Sequence, residues 1–372
     1  MTTVGIISEY NPFHAGHLRQ IEAIRRHFDT EVTVISLMSG NFVQRGEFAI
    51  LPKGYRAKAA LLGGADLVLE YPYPWSGACA EIFASGGVSL LTSLGIDYIS
   101  FGSESGDLSV LAREADRLSS DTFERALAEA IKRDPATAYA VKREEVYRSL
   151  YNEMPQSRAN DILGVCYLMA MKRQNSPLKP LVIKREGFES ATASRAAYRA
   201  ENADELKNIV PQGSYSIMSS CKAVDIKALE GGILMMLRLA DEGSFEKTAE
   251  LTADLCYRIL AAAKTAEDLK ALFETVASKS YTNARVRRVL LSMLFGVTAK
   301  KLHEMPAYTR LLAANGKGRA FLDGHAFPIL TRAGDAAKYG ETVARQVAFA
   351  DRADRIYRMA DENPAVNKPF IL

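Results

Sequence analysis

The chain has 372 residues, 48% of them hydrophobic and 24% charged, a globular balance that excludes a disordered or collagen-like polypeptide. At about 100–200 residues per domain this length predicts two or three domains. Its most apolar stretches, residues 90–95 and 231–239, fall short of the roughly 18–20 apolar residues of a membrane span. The net charge of +3 is uninformative by itself, because a local patch can be strongly basic inside a balanced chain.

In chain order, residues 4–8 (VGIIS), 32–38, 67–71, 98–102 and 180–184 read as short strands rich in β-branched residues. Helical patterns at 16–27, 54–63, 79–93 and 158–173 lie between them. This alternation predicts an α/β fold with a doubly wound parallel sheet over residues 1–205, carrying a helical insertion at about 107–151. Past residue 205 no comparable strand alternation is evident. Residues 222–240, 244–262, 266–278 and 283–295 have helical spacing, so the second domain, 206–372, is expected to be mainly α-helical. The junction is expected at 208–220, which holds Pro211, Gly213 and four serines. The first residues lack the basic flank and apolar run of a signal peptide. The four cysteines (Cys79, Cys166, Cys221, Cys256) form no C-x-x-C pair. Reduced core thiols, a cytoplasmic location and no zinc site are the expectation.

Two of the five histidines sit three residues apart in NPFHAGH, directly after the first strand and before a helix. Ligands of doubly wound sheets bind at the carboxyl ends of strands, where helix N-termini present free N–H groups to anions. His14 and His17 can aim at one spot, with Gly16 between them removing a blocking side chain. Imidazoles there can donate hydrogen bonds to a polyphosphate as charge shifts during attack on an α-phosphoryl group. By itself H-x-G-H is equally a pair of surface histidines at a helix cap. Its place after the first strand resembles the nucleotidyltransferase superfamily, whose second motif has the form I-S-S-T-x-x-R after the last strand. Here that place holds SATASR, residues 190–195. Thr192 and Arg195 keep the T-x-x-R spacing, whereas Glu189 and Ala191 depart from the first and third letters. Hydroxyls at a helix start, followed one turn later by an arginine, can hold terminal phosphates.

The blocks VGIISEYNPFHAGHLRQI, MSGNFVQRGEFAILPKGYRAKAALLGGADLVLEYPY, FGSESGD and ANDILGVCYL resemble the bacterial tRNA(Met) cytidine acetate ligase family. The resemblance continues through YTNARVRRVLLSMLFG, AYTRLLAANGKGRAFL and ADRIY. It implies an enzyme that uses ATP and acetate to form acetyl-adenylate, releases pyrophosphate, and passes the acetyl group to N4 of the wobble cytidine of elongator tRNA(Met). It further implies catalytic roles for His14, His17, Thr192 and Arg195. Contacts to ATP would come from Ile7, Asn11, Pro12, Gly16, Gly102, Asn160, Arg185 and Ser190. Magnesium is expected to arrive mainly through the triphosphate. The family often has two asparagines before I-L-G, but this chain has Asn160 followed by Asp161, which leaves the second position's role open. Gln44 and Arg45, in the loop after the second strand, are the substrate-side candidates.

Residues 281–320 carry eight basic residues against one acid, Glu304. Within 283–295, Val286, Val289, Leu290 and Met293 form an apolar face, which leaves Arg285 and Arg288 together on another. A charge run is ordinarily a solvated helix face; the resemblance makes this one the expected tRNA surface. The reading is an ATP-dependent tRNA ligase. Two other readings fit parts of the pattern: an adenylyltransferase for a small metabolite, and a non-catalytic, nucleotide-regulated RNA-binding protein.

Overall fold

The computed structural model describes residues 2–134, 139–185, 191–366 and 368–372. Seven strands form a continuous path: β1 (Thr2–Ser8), β2 (Val32–Ser39), β5 (Leu67–Tyr71), β6 (Tyr98–Ser103), β7 (Lys179–Lys184), β8 (Thr309–Ala314) and β10 (Phe370–Ile371). Their order is β10-β8-β5-β2-β1-β6-β7, with β9 (Ile329–Leu330) paired to β8 off that path. A separate two-stranded ribbon, β3 (Phe42–Val43) and β4 (Glu47–Phe48), projects between β2 and the next helix. Every residue of β2 is buried, as expected of a strand covered on both faces.

Helices α1 (Ala15–His27), α2 (Lys53–Leu62), α3 (Ala80–Ser93) and α7 (Ala159–Arg173) alternate with the strands. The insertion folds as α4 (Leu108–Leu118), α5 (Asp121–Arg133) and α6 (Tyr139–Tyr151). Three short helices follow β7: α8 (Ala191–Arg199), α9 (Ala203–Ile209) and α10 (Gln212–Met218). Next come α11 (Glu230–Leu239), α12 (Ala253–Thr265), α13 (Leu269–Val276), α14 (Asn283–Phe295) and α15 (Ala299–His303), then α16 (Gly316–Leu322) and α17 (Glu341–Met359). Among the described residues no helix is long and apolar enough to cross a membrane. All four cysteines are free thiols, with Cys166 and Cys256 buried and Cys79 and Cys221 only partly so.

The chain runs from β1 outward through β2 to β5, then returns to place β6 and β7 on the other side of β1. The switch point of the winding therefore lies between β1 and β6, where such sheets bind ligands. Two expectations are corrected. Strands do occur past residue 205, since β8 and β10 extend the sheet and β8 runs antiparallel to β5. The strands of residues 1–205 pair in parallel as expected, and the later strand β8 makes the whole sheet mixed. Residues 208–220 are also not a linker. Pro211 opens α10, and Leu206, Val210, Ile217 and Met218 are buried in the same apolar cluster as Val4 and Val34. A proline is well tolerated at a helix start, so the same residues that read as a break serve to begin a packed helix.

A fully buried arginine organises the carboxyl edge of the sheet. Arg56 on α2 is 1% exposed. It donates to the carbonyls of Glu9 (2.6 Å), Ser39 (3.1 Å) and Leu51 (2.8 Å), and also to that of Gly40. Burial pulls the guanidinium down to about 10, against the raising effect of Tyr357, Glu9, Glu70 and Asp354, and it stays charged at neutral pH. Each buried carbonyl left without its donor costs about 1–3 kcal/mol. Arg56→Leu is therefore expected to lower the unfolding free energy by about 3 kcal/mol or more, as measured by urea titration. A loss below about 1 kcal/mol would contradict this role.

Candidate active site

The turn after β1 is sharp. Tyr10 adopts φ 44°, a left-handed conformation that is costly for a bulky residue and collects at functional sites. Its buried hydroxyl pairs with Ser36 Oγ at 2.8 Å. The chain then enters α1 through a capping box made of histidines. The Gly16 N–H donates to His14 Nδ1 (3.1 Å), and the His14 N–H donates to His17 Nδ1 (3.2 Å). The two rings stack with centroids 3.8 Å apart. A Cβ at residue 16 would lie 2.9 Å from His14 Cε1, so the stack requires glycine there. An Nδ1 that accepts a hydrogen bond carries no proton, and the neutral rings therefore hold theirs on Nε2. Burial, then His14 and Arg185, push the His17 pKa well below its usual 6.5. The result is a pair of neutral donors at a helix N-terminus, whose dipole favours anions.

The facing wall comes from the other side of the switch point. On α8, Arg195 donates from Nη1 to the Asn11 carbonyl (2.9 Å) and from Nη2 to Thr192 Oγ1 (3.3 Å). The one-turn spacing thus closes both residues over the turn after β1. Burial lowers the Arg195 guanidinium from its ordinary value, with Glu47 and Glu9 opposing. Gly102 is the penultimate residue of β6, and a Cβ there would come within 3.1 Å of Arg185 Cγ, so the arginine stem lies across the glycine. Asn160, near the start of α7, donates from Nδ2 to Glu104 Oε1 at 2.5 Å.

Asp161 performs a different task from its neighbour. Its buried Oδ1 accepts from Ser103 Oγ (2.5 Å) and from the N–H groups of Glu104 (3.0 Å) and Ser105 (3.3 Å), holding the turn that follows β6. On the β2 side, Glu9 accepts the Gln44 N–H at 2.9 Å, which ties the ribbon to β1. Burial raises the Glu9 carboxyl above the usual range, against the lowering effects of Gln44, Arg195 and Arg45.

These groups surround a cavity of about 590 Å³ that brings together Ile7, Asn11, His14, His17, Gln44, Arg45, Gly102, Asn160, Arg185, Thr192 and Arg195. Gly16 lines an adjoining cavity of about 310 Å³ that shares His17, Gly102 and Arg185. Pro12 forms a cis peptide with Asn11 in the turn. Ser190 lies outside the described residues. Sequence reasoning passed over Ser8, Glu9, Gln20, Glu104 and Tyr167, which also line the main cavity. Their only sequence signal was adjacency to a strand end or a motif. Ser8 Oγ, Asn11 Nδ2 and Tyr167 Oη are buried there without a hydrogen-bond partner, whereas buried polar groups are normally satisfied. Orphaned donors beside neutral imidazoles and three arginines suit a polyphosphate ligand. Among the described residues no group of three or more His, Cys, Asp or Glu side chains could hold a metal ion.

Arg285 and Arg288 are not in this cavity. Arg288, with its side chain 12% exposed, donates from Nε and Nη2 to Glu250 Oε2, both at 3.2 Å. Arg285 lies over the Tyr281 ring at 5.1 Å and donates to the Glu250 carbonyl at 3.3 Å. The intervening Arg287 pairs with Glu47 of the ribbon. At Gly46 (φ +73°) a Cβ would lie 2.4 Å from the Arg288 backbone nitrogen, so this part of α14 is pressed against the ribbon. Elsewhere in the basic run, Arg310 pairs with Asp351 and Lys317 with Glu31. Four of the eight cations thus pair with acids outside the run, and Arg285 and Arg288 are both engaged with Glu250 instead of standing free on a helix face.

A strand, a histidine-capped helix and a T-x-x-R helix meeting at the switch point define a nucleotidyltransferase-type enzyme. The model of the HIGH nucleotidyl transferase family matches residues 1–369. A tRNA(Met) cytidine acetate ligase from Acetivibrio thermocellus is 34% identical over 99% of this chain and 97% of its own length. One from Caldanaerobacter subterraneus subsp. tengcongensis is also 34% identical, over 99% and 98%. The crystal structure of Thermotoga maritima TmcAL bound with alpha-thio ATP superposes with a TM-score of 0.91 at 29% identity, covering all of both chains. The chain belongs to the tRNA(Met) cytidine acetate ligase family.

His14→Ala and His17→Ala are each expected to slow ATP–pyrophosphate exchange by about 10²–10³-fold, the usual cost of removing a preorganised donor. Because His17 titrates well below 6.5, wild-type exchange should show no limb near pH 6.5. A limb there that disappears in His17→Asn would refute the neutral-donor arrangement. By contrast, Arg288→Ala should lower the melting temperature, because it leaves Glu250 without its partner, while the salt dependence of tRNA binding stays unchanged.

Proposed function

We propose that this protein binds ATP at the switch-point cavity, activates acetate as acetyl-adenylate, and acetylates N4 of the wobble cytidine of elongator tRNA(Met). What carries the reading is the convergence of the stacked His14–His17 pair with Thr192 and Arg195, in a chain related along almost its whole length to proteins named for this reaction. An acetate oxygen attacks the α-phosphorus, and the bond to the bridging oxygen of the β-phosphate breaks. His14 and His17 donate from Nε2 to the charge that develops, while Thr192 and Arg195 receive the departing pyrophosphate. Gly102, Asn160 and Arg185, with Ile7, Asn11, Pro12, Gly16 and Ser190, hold the nucleotide. Positioning and charge stabilisation supply most of the acceleration in such transfers. Magnesium, carried by the triphosphate, would neutralise part of its charge.

In the second half-reaction the cytosine amino nitrogen attacks the acetyl carbonyl carbon, the bond to the adenylate oxygen breaks, and AMP leaves. Gln44 and Arg45, on the ribbon side of the cavity, face the acceptor. Residues 1–205 and 206–372 are read as a catalytic part and a tRNA-binding part, with β8 and β10 anchoring the second to the sheet of the first.

Incubation with ATP, labelled acetate and total tRNA should yield N4-acetylcytidine and equal amounts of AMP and pyrophosphate. Acetyl-CoA without ATP should give none; equal acetylation from acetyl-CoA alone would overturn the reading.

A further inference from the structure

A second cavity, of about 290 Å³, lies away from the switch point, between the segment after β5 and helices α15 and α17. Pro74 and Trp75 form one wall; Lys301, Arg345, Phe349 and Arg352 form the other. Lys301 Nζ is 4.5 Å from the Phe349 ring centroid, and the Arg352 guanidinium carbon is 5.1 Å from it. Arg345 reaches Glu304 at 2.9 Å, while Lys301 donates to the Gly296 carbonyl (2.8 Å) and Arg352 to the Phe295 carbonyl (2.9 Å), so the cleft is lined by three cations and one carboxylate. Burial, then Arg352 and Arg345, lower the Lys301 pKa; the cations crowd one another, and an anion would relieve them.

The charge segregation along α17 points the same way. Its run DRADR looks neutral in sequence. In the fold, Asp351 turns inward to Arg310 (2.6 Å) and Asp354 to Lys53 (2.5 Å). Arg345, Arg352 and Arg355 are left on the exposed face. We propose that this cleft binds an unpaired nucleotide of the RNA substrate, with its base stacked on the Phe349–Arg352 pair and the flanking phosphates against Lys301 and Arg345. Aromatic rings and guanidinium planes are the usual platforms for unpaired bases, and the cations serve the backbone. An acidic peptide would use the cations and leave the stacking surface without a purpose.

The position suits a substrate that also reaches the main cavity. β5 runs parallel to β2 and β1, so its carboxyl end, which leads into Pro74 and Trp75, lies on the same edge of the sheet as His14. The Phe349 ring is parallel to Tyr73 (8°, 6.1 Å), and Tyr73 contacts Phe42 of the ribbon at 4.9 Å. Asp354 also accepts from Asn41 Nδ2 at 2.9 Å, fixing α17 to the loop that carries Gln44 and Arg45. RNA held by the cleft is thus held in register with the reaction site.

This proposal rests on the tRNA reading above, and the experiment separates the two. Affinity for elongator tRNA(Met) is measured from 50 to 200 mM salt for wild type, Phe349→Ala, Phe349→Trp and Arg345→Gln, with ATP–pyrophosphate exchange and thermal unfolding recorded for each. Arg345 is half exposed, so its replacement should not perturb folding. Phe349→Ala is expected to weaken binding roughly tenfold and Phe349→Trp to retain it. Arg345→Gln should reduce the slope of log affinity against log salt by about one. Exchange should be unchanged throughout. Wild-type affinity and slope in the variants would overturn the cleft assignment alone. A parallel fall in exchange and melting temperature would make the residues structural and also overturn it. Absence of tRNA affinity in the wild type would overturn both readings.

Discussion

The guanidinium of Arg56 sits where β1, β2 and the start of α2 would otherwise leave four carbonyls facing one another in a dry interior. Strand ends are where a sheet stops supplying partners for its own backbone, and buried carbonyls without donors are expensive. One planar cation with five fixed donors answers all four at once, as lysine cannot. Its bonds to Glu9 and Gly40 set the course of the two loops that wall the main cavity. The turn carrying Tyr10 and the histidine cap, and the ribbon carrying Gln44 and Arg45, are therefore fixed from a single side chain on the helix between β2 and β5.

Around this point the protein arranges a second layer of buried charge. Glu70, at the end of β5, receives Lys53 at 2.7 Å and lies 3.9 Å from Arg310 on β8. Lys53 also reaches Asp354 on α17, and Tyr357 donates to the Ala49 carbonyl at 2.7 Å. Buried pairs of this kind add little net stability compared with apolar packing but are costly to break singly. Their geometric effect here is specific: a helix some 300 residues downstream is aligned on the start of α2. The late strand β8 contributes through the same network, which ties the carboxyl-terminal segment to the first sheet.

Charge is where linear and spatial readings diverge most. The stretch 281–320 is basic by count, yet Arg287, Arg288, Arg310 and Lys317 are each matched by an acid from elsewhere. The run in α17 is balanced by count, yet its acids face inward and its arginines outward. Net charge over a window predicts a surface only when the partners are also local, and a fold with many long-range pairings breaks that condition.

The sequence by itself determined the central strands and the helices between them, because strands buried on both faces need unbroken β-branched runs and their crossover helices need an apolar stripe. It also determined the two motifs that meet in the main cavity, since each is a local spacing: H-x-G-H is a helix cap, and T-x-x-R is one helical turn. Tertiary structure alone decided that β8 and β10 join the sheet, because the pairing of β8 with β5 joins residues some 240 apart in sequence and leaves no periodic signature of its own. It decided that residues 208–220 pack instead of linking, since a proline and several serines read the same at a helix start as in a loop. It also decided which cations are spent on acids and which face solvent, because that depends on distances between elements that only the packed chain establishes.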